Sequence, residues 1–313
     1  MDVLDIDLLM SGYTEDIALI REFINNNYWM LNPGELDIRL VDGEYIVNFN
    51  GRLRCNPHAK KLTNDMFRFG EVLNFDCTGC KILTSLKGAP RECDKFCCVE
   101  CHSLITLEGA PEKCNIFSCE DCHGLTSLKG APQECEMFMC PHCSRLSDLT
   151  YAPQKCDVFK CQYCYGLTSL KGAPQECNGF ECMHCCVLES LEGAPSICKL
   201  FDCSYCTDLT SLKGVPEMCE HFCCAFCDKL SDLTDSLKCC RKFNCVGCKN
   251  LTSLKGAPKY TEDFYCTYCA NLTSLEGAPQ ECITFDCSFC PNLTSLKFAP
   301  VSCKYFFHMN VLD

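Results

Sequence analysis

Over most of this chain, apolar residues return to the same places every 21 positions, with polar residues between them. Framed on a recurrent leucine, the copies begin at Leu62, Leu83, Leu104, Leu125, Leu146, Leu167, Leu188, Leu209, Leu230, Leu251, Leu272 and Leu293, with no insertion or deletion. Frame position 14 is Phe in all twelve copies, from Phe75 to Phe306, and position 4 is Leu in all but the copy with Asp65. Cysteine holds position 11 in ten copies and positions 16 and 19 in eleven each. A fixed period of this length means one supersecondary unit stacked on itself, each rung burying its apolar face against the next. The predicted fold class is therefore a solenoid: a parallel β stack over residues 62–313 with extended, helix-poor return legs.

A single unit parses the same way. In Phe138-Met139-Cys140, alternate residues share a face, which predicts a short strand with Phe and Cys inward and Met139 outward. Leu-x-x-Leu then turns the chain, and Gly-Ala-Pro suits an extended leg that needs no ladder donor. The copy at 230–250 carries Asp235 and Leu237 where Gly and Pro usually stand, so a local kink is expected there.

Residues 1–61 lie outside the repeat and predict a small α+β cap. Between Glu15 and Leu31, Ile17, Ile20, Phe23 and Ile24 fall on one helical face, and Asn32-Pro33-Gly34 is the expected stop. Residues 36–51 alternate about Asp42-Gly43, a two-residue hairpin signal. Such an element would cover the first rung's open core and unpaired strand.

Charge narrows the partners. A net charge of −13 argues against nucleic acid or an anionic membrane surface, which need a basic footprint. No apolar run is long enough to span a bilayer, and Asp5 and Asp7 interrupt the start where an export signal would be basic and apolar. The expected location is the cytoplasm, or a virus particle. The 37 cysteines pull the other way, because that density belongs to oxidised, secreted scaffolds.

Three uses of the cysteines stay open. As small hydrophobes they can simply fill the core. As disulfides, same-column residues of neighbouring rungs would have Cα atoms ~5 Å apart, inside the ~4.4–6.8 Å bridging window. The candidate ladders are Cys93, Cys114 and Cys135 at position 11, and Cys98, Cys101, Cys161 and Cys164 at positions 16 and 19. As metal ligands, two successive Cys-x-x-Cys pairs such as Cys119, Cys122, Cys140 and Cys143 would supply four thiolates for zinc. The expectation is no cofactor, with zinc or thiol redox buffering as the alternative; no insertion in the 21-residue register marks rungs as working in twos.

The string C-x-x-F-x-C-x-x-C-x-x-L resembles the leucine-rich repeat signature, with Cys in two of its Leu positions and Phe in a third. The LTSL and GAP segments resemble short-repeat proteins of giant DNA viruses and phages. The resemblance spans residues 62–312 and implies a non-enzymatic protein that binds another protein or builds a larger assembly, such as a virion.

The outward column at position 18 includes His142, Tyr163, His184, Tyr205, Phe226, Tyr268 and Phe289. Aromatic residues in such a stripe are candidate interface anchors, or they only stack on one another. Seven histidines have no fixed nucleophile or carboxylate partner, so no active site is expected. Cys97 and Cys223, at outward position 15, are candidates for joining separate chains. The final copy has His308 and Val311 in place of two thiols, and its apolar strand YFFHMNVL suggests a C-terminal edge that docks on a second copy or another protein.

Overall fold

The computed structural model describes residues 3–30 and 36–311. Within them a single helix, α1 (Val3–Asn27), leads into a 15-stranded sheet. The first three strands, β1 (Tyr28–Met30), β2 (Leu36–Val41) and β3 (Glu44–Cys55), form the cap. Twelve more, β4 (Phe67–Asp76) through β15 (Ser302–Phe307), follow at one per rung and lie side by side in chain order. Neighbouring rungs pair in parallel one period apart, as in Phe96↔Phe117 and Phe201↔Phe222. The chain is thus a cysteine-rich β-solenoid with a 21-residue period.

The register is set by what each rung buries. The leucines of positions 1 and 4, the Phe of position 14 and the cysteines of positions 16 and 19 form one continuous core. The phenylalanine rings stack from Phe75 to Phe306 with centroids 5.3–5.7 Å apart and nearly parallel planes. A shift of one residue would turn every one of these side chains to solvent, so the pattern leaves a single pairing. The return legs contain no helix. Each is tightened by a turn, in which the Ala89 amide donates to the Leu86 carbonyl at 2.9 Å and Gly88 sits at φ 90°. At Gly109 the corner is also tight, since a Cβ there would lie 2.4 Å from the Lys87 backbone nitrogen. Tyr151, Asp235 and Phe298 take the same left-handed corner in other rungs, at φ 72°, 63° and 70°.

The cap departs from expectation at both ends of its helix. It begins at Val3 rather than Glu15, and it ends at Asn27. Three consecutive asparagines close it, the Asn27 side chain donating to the Phe23 carbonyl at 2.8 Å. Tyr28–Met30 then pairs antiparallel with β3 instead of continuing as helix. The expected stop at Asn32-Pro33-Gly34 lies outside the described residues. Asp42 and Gly43 take φ of 51° and 83° and close the β2–β3 hairpin as predicted. Because β3 also pairs in parallel with β4, the cap's sheet runs without a break into the solenoid.

The irregular copy at 230–250 shortens its strand rather than breaking the stack. Both β12 (Lys242–Asn244) and the following β13 (Asp263–Tyr265) have three residues where most rungs have six. The Phe222↔Phe243 register holds, and the two rings tilt by 25°.

Candidate functional site

Two of the three cysteine columns face the backbone. Every cysteine at positions 16 and 19 is fully buried, including Cys98, Cys101, Cys161 and Cys164. After position 16 the chain turns, leaving that residue's carbonyl inside the core. The position-19 thiol of the next rung donates to it: Cys101 to Cys77 at 3.2 Å, Cys122 to Cys98 at 3.0 Å, Cys143 to Cys119 at 3.3 Å, Cys164 to Cys140 at 3.2 Å. A buried carbonyl without a donor is costly, and a compact side chain carrying one donor meets the need. Burial in turn pushes the Cys98, Cys119, Cys161 and Cys203 thiols well above their ordinary value, so they remain protonated.

This geometry accounts for the zinc candidates. Cys119, Cys122, Cys140 and Cys143 follow the same alternating thiol–carbonyl pattern rather than converging on a point. Among the described residues no group of three or more His, Cys, Asp or Glu side chains is arranged to hold a metal ion. All 37 thiols are free, none bonded to another.

The position-11 column is different. In the six-residue strands it lies at the second residue, where Cys93 and Cys135 are only half-buried. Here sulfur meets sulfur: Cys93 and Cys114 approach to 3.7 Å, and Cys135 and Cys156 to 3.8 Å.

The aromatic stripe forms a surface ladder. His142, Tyr163, His184, Tyr205 and Phe226 stack at centroid distances of 4.5, 4.4, 4.4 and 4.7 Å, with planes within 10° of parallel. Gly247 interrupts the ladder, and Tyr268 and Phe289 resume it at 4.8 Å. All seven residues sit at φ between 58° and 61°, a left-handed conformation that costs an L-residue about 1–2 kcal/mol. Sequence reasoning put these residues on the surface but missed their backbone. The signal was Gly79, Gly247 and Asn310 in the same column, residue types that take this conformation readily. Tyr205 and Tyr268 are exposed, while the other five are half-buried between neighbouring rings.

The remaining candidates do not gather. His102 and His123 stack on each other at 5.1 Å and bond the backbone carbonyls of Asp121 and His142 through Nδ1. Cys97 and Cys223 are half-buried, Cys223 lying 3.0 Å from Ser204 Oγ. On the last rung Val301, Tyr305, Phe307 and Met309 are exposed, and no described strand covers β15 on its outer side. No described helix is long and apolar enough to cross a membrane. No family model, curated protein or solved structure matches the chain.

Proposed function

We propose that this protein is a non-enzymatic scaffold, similar in plan to leucine-rich repeat proteins, whose position-18 ladder binds a protein partner. The observation that carries this reading is the ladder itself. Five consecutive rungs hold non-glycine residues in a costly conformation, with rings already stacked and partly open to solvent. Side chains ordered in advance lose little freedom on binding, and Tyr, Phe and His supply large amphipathic contact area. Stacking worth about 0.5–1.5 kcal/mol per pair roughly offsets the backbone cost, so the free surface is stable. A role in a larger assembly, including a virus particle, fits the same rod-like geometry. Zinc binding and thiol buffering find less support, since the core thiols are committed to carbonyls.

Replacing Tyr163, Tyr205 and Phe226 by Asn tests the reading, because Asn310 shows that Asn takes this backbone conformation. A protein retained by the wild-type chain should be lost by the triple variant, with the far-UV spectrum unchanged. Retention of every partner by the folded variant would refute it. A second surface is favoured by the open side of β15: self-association there should give a dimer in light scattering that deletion of residues 304–313 converts to monomer. A monomer at all concentrations would rule that out.

A further inference from the structure

The position-11 thiols come in twos. Besides the couples at Cys93–Cys114 and Cys135–Cys156, sulfur contacts join Cys177 to Cys198 at 3.5 Å and Cys282 to Cys303 at 3.4 Å. Between couples the sulfurs turn elsewhere: Cys114 donates to the Ile116 carbonyl at 2.9 Å, and Cys156 to the Val158 carbonyl at 3.1 Å.

The backbone follows the same alternation. Pairing reaches position 11 between β5 (Glu92–Cys97) and β6 (Lys113–Ser118), and again between β7 (Glu134–Met139) and β8 (Lys155–Lys160). Between β6 and β7 it begins only at Ile116↔Met137, and between β8 and β9 (Glu176–Glu181) only at Val158↔Gly179. The alternation ends at β10 (Ile197–Asp202), which pairs at position 11 with both neighbours, Cys177↔Cys198 and Cys198↔Cys219. Charges at position 10 alternate to match. Lys113 pairs with Glu92 at 3.0 Å, and Lys155 pairs with Glu134. Sulfur contacts, backbone pairing and charge thus agree for the first two couples, while the Cys177–Cys198 and Cys282–Cys303 couples rest on the sulfur contacts and on strand pairing at position 11.

We propose that the four couples are sites of reversible disulfide formation, Cys93–Cys114, Cys135–Cys156, Cys177–Cys198 and Cys282–Cys303, each stapling two neighbouring rungs. The co-reactant is a low-molecular-weight disulfide. The margin is reachable, since a shallow open groove is lined by Cys114, Cys135 and Cys156 with Glu134 and Lys155 beside them. In each couple the first cysteine is only half-buried. The partner thiol and burial hold Cys93 and Cys135 protonated, so reaction is slow at neutral pH and quickens as pH rises. The proton passes to water, and the sulfur attacks the small disulfide, forming a mixed disulfide and releasing one small thiol. The partner cysteine then attacks the protein sulfur of that mixed disulfide and expels the second small thiol. The protein loses two protons and two electrons, and the co-reactant gains them as two thiols.

Closure to a bond of ~2.05 Å asks each couple of sulfurs to approach by about 1.5 Å. A rung spacing of ~4.8 Å is wider than the usual Cβ separation of ~3.5–4.5 Å, so the bond forms under strain and is readily reduced. Cys219 and Cys240, beside the shortened rung, are not assigned, because Cys240 Sγ faces Thr261 Oγ1 and Cys219 Sγ the Lys199 and His221 carbonyls, with no sulfur contact between the two. The columns at positions 16 and 19 stay reduced, their thiols being sealed in the core.

Oxidised glutathione added to the folded, fully reduced protein tests this, with peptide mapping of the cross-links before reduction. Four linked peptide pairs are expected, and dithiothreitol should abolish all four. In Cys135→Thr, three should remain and Cys156 should become free to alkylate. Threonine is a safe replacement here, because Thr261 already occupies this column and donates to the Asp263 carbonyl as Cys156 does to Val158. Links of the opposite phase, Cys114–Cys135 or Cys156–Cys177, would overturn the proposal. So would links among the core columns, or no intramolecular link in a protein whose far-UV spectrum shows it folded.

Discussion

Cys164 and Cys156 stand eight residues apart in neighbouring columns of the same repeat, yet their sulfurs meet different neighbours. Cys164 is sealed in the core and donates to the Cys140 carbonyl of the rung before. Cys156 sits at the start of its strand, with the Cys135 sulfur 3.8 Å away. The first arrangement makes cysteine a compact polar plug for a turn that exposes a carbonyl inward. The second leaves two thiols facing each other beside open solvent. What a repeated cysteine does is thus decided by the atom its sulfur meets, and the Cys-x-x-Cys spacing alone says nothing about it.

The largest effect on this contrast should come from the ring stack on which both columns rest. Phe159→Ala in a central rung should cost roughly 3–5 kcal/mol in urea unfolding under reducing conditions. A near-neutral result would mean the stack is not the spine of the fold. The next step compares the columns directly. Cys185→Ala leaves the Cys161 carbonyl without its thiol donor and should cost about 1–3 kcal/mol. Cys135→Thr, at the margin, should stay within about 0.5 kcal/mol of wild type. Equal costs for the two would erase the distinction drawn here.

Alkaline pH sharpens it further. Burial raises the Cys98, Cys119 and Cys161 thiols far above the ordinary value of 9.0 and pushes Cys287 up to about 12. The folded state therefore keeps protons that the unfolded chain releases. This stabilisation is complete below a pH of about 9 and is lost as pH climbs through the raised values. The slope is at most ~1.4 kcal/mol per pH unit for each such thiol. Reduced protein should lose stability steeply between pH about 9 and 12, and the fall should survive Cys135→Thr, since the core columns carry most of it. A flat profile would show that these thiols are not held protonated by the fold.

Much of the architecture was legible in the chain because solenoid register is a one-dimensional property. Leu, Phe and Cys at fixed spacing specify inward faces, strand position and parallel pairing together, and Asp42-Gly43 specifies its hairpin from two residues. The helix limits were not legible, because the pairing of Tyr28–Met30 with β3 is a long-range competitor that local periodicity cannot see. The role of the position-19 thiols was equally hidden. Inwardness follows from period, but a hydrogen bond to a carbonyl in the preceding rung depends on the turn after position 16. The two-rung grouping did leave a trace in the sequence: Glu92, Lys113, Glu134 and Lys155 alternate in sign along position 10. That signal was easy to overlook because it spans only four rungs and the residue beside it is cysteine in all four.

The distinction between plugged and paired thiols can be read in one measurement: residue-resolved alkylation of the reduced, native protein by iodoacetamide, followed by mass spectrometry. The half-buried position-11 thiols Cys93, Cys135 and Cys177 should label directly, at rates that Phe159→Ala leaves unchanged. The 22 core thiols of positions 16 and 19 should label together, only as fast as the chain unfolds, and Phe159→Ala should accelerate all of them. Core thiols that label as quickly as the position-11 column, in a chain that remains folded, would contradict the account.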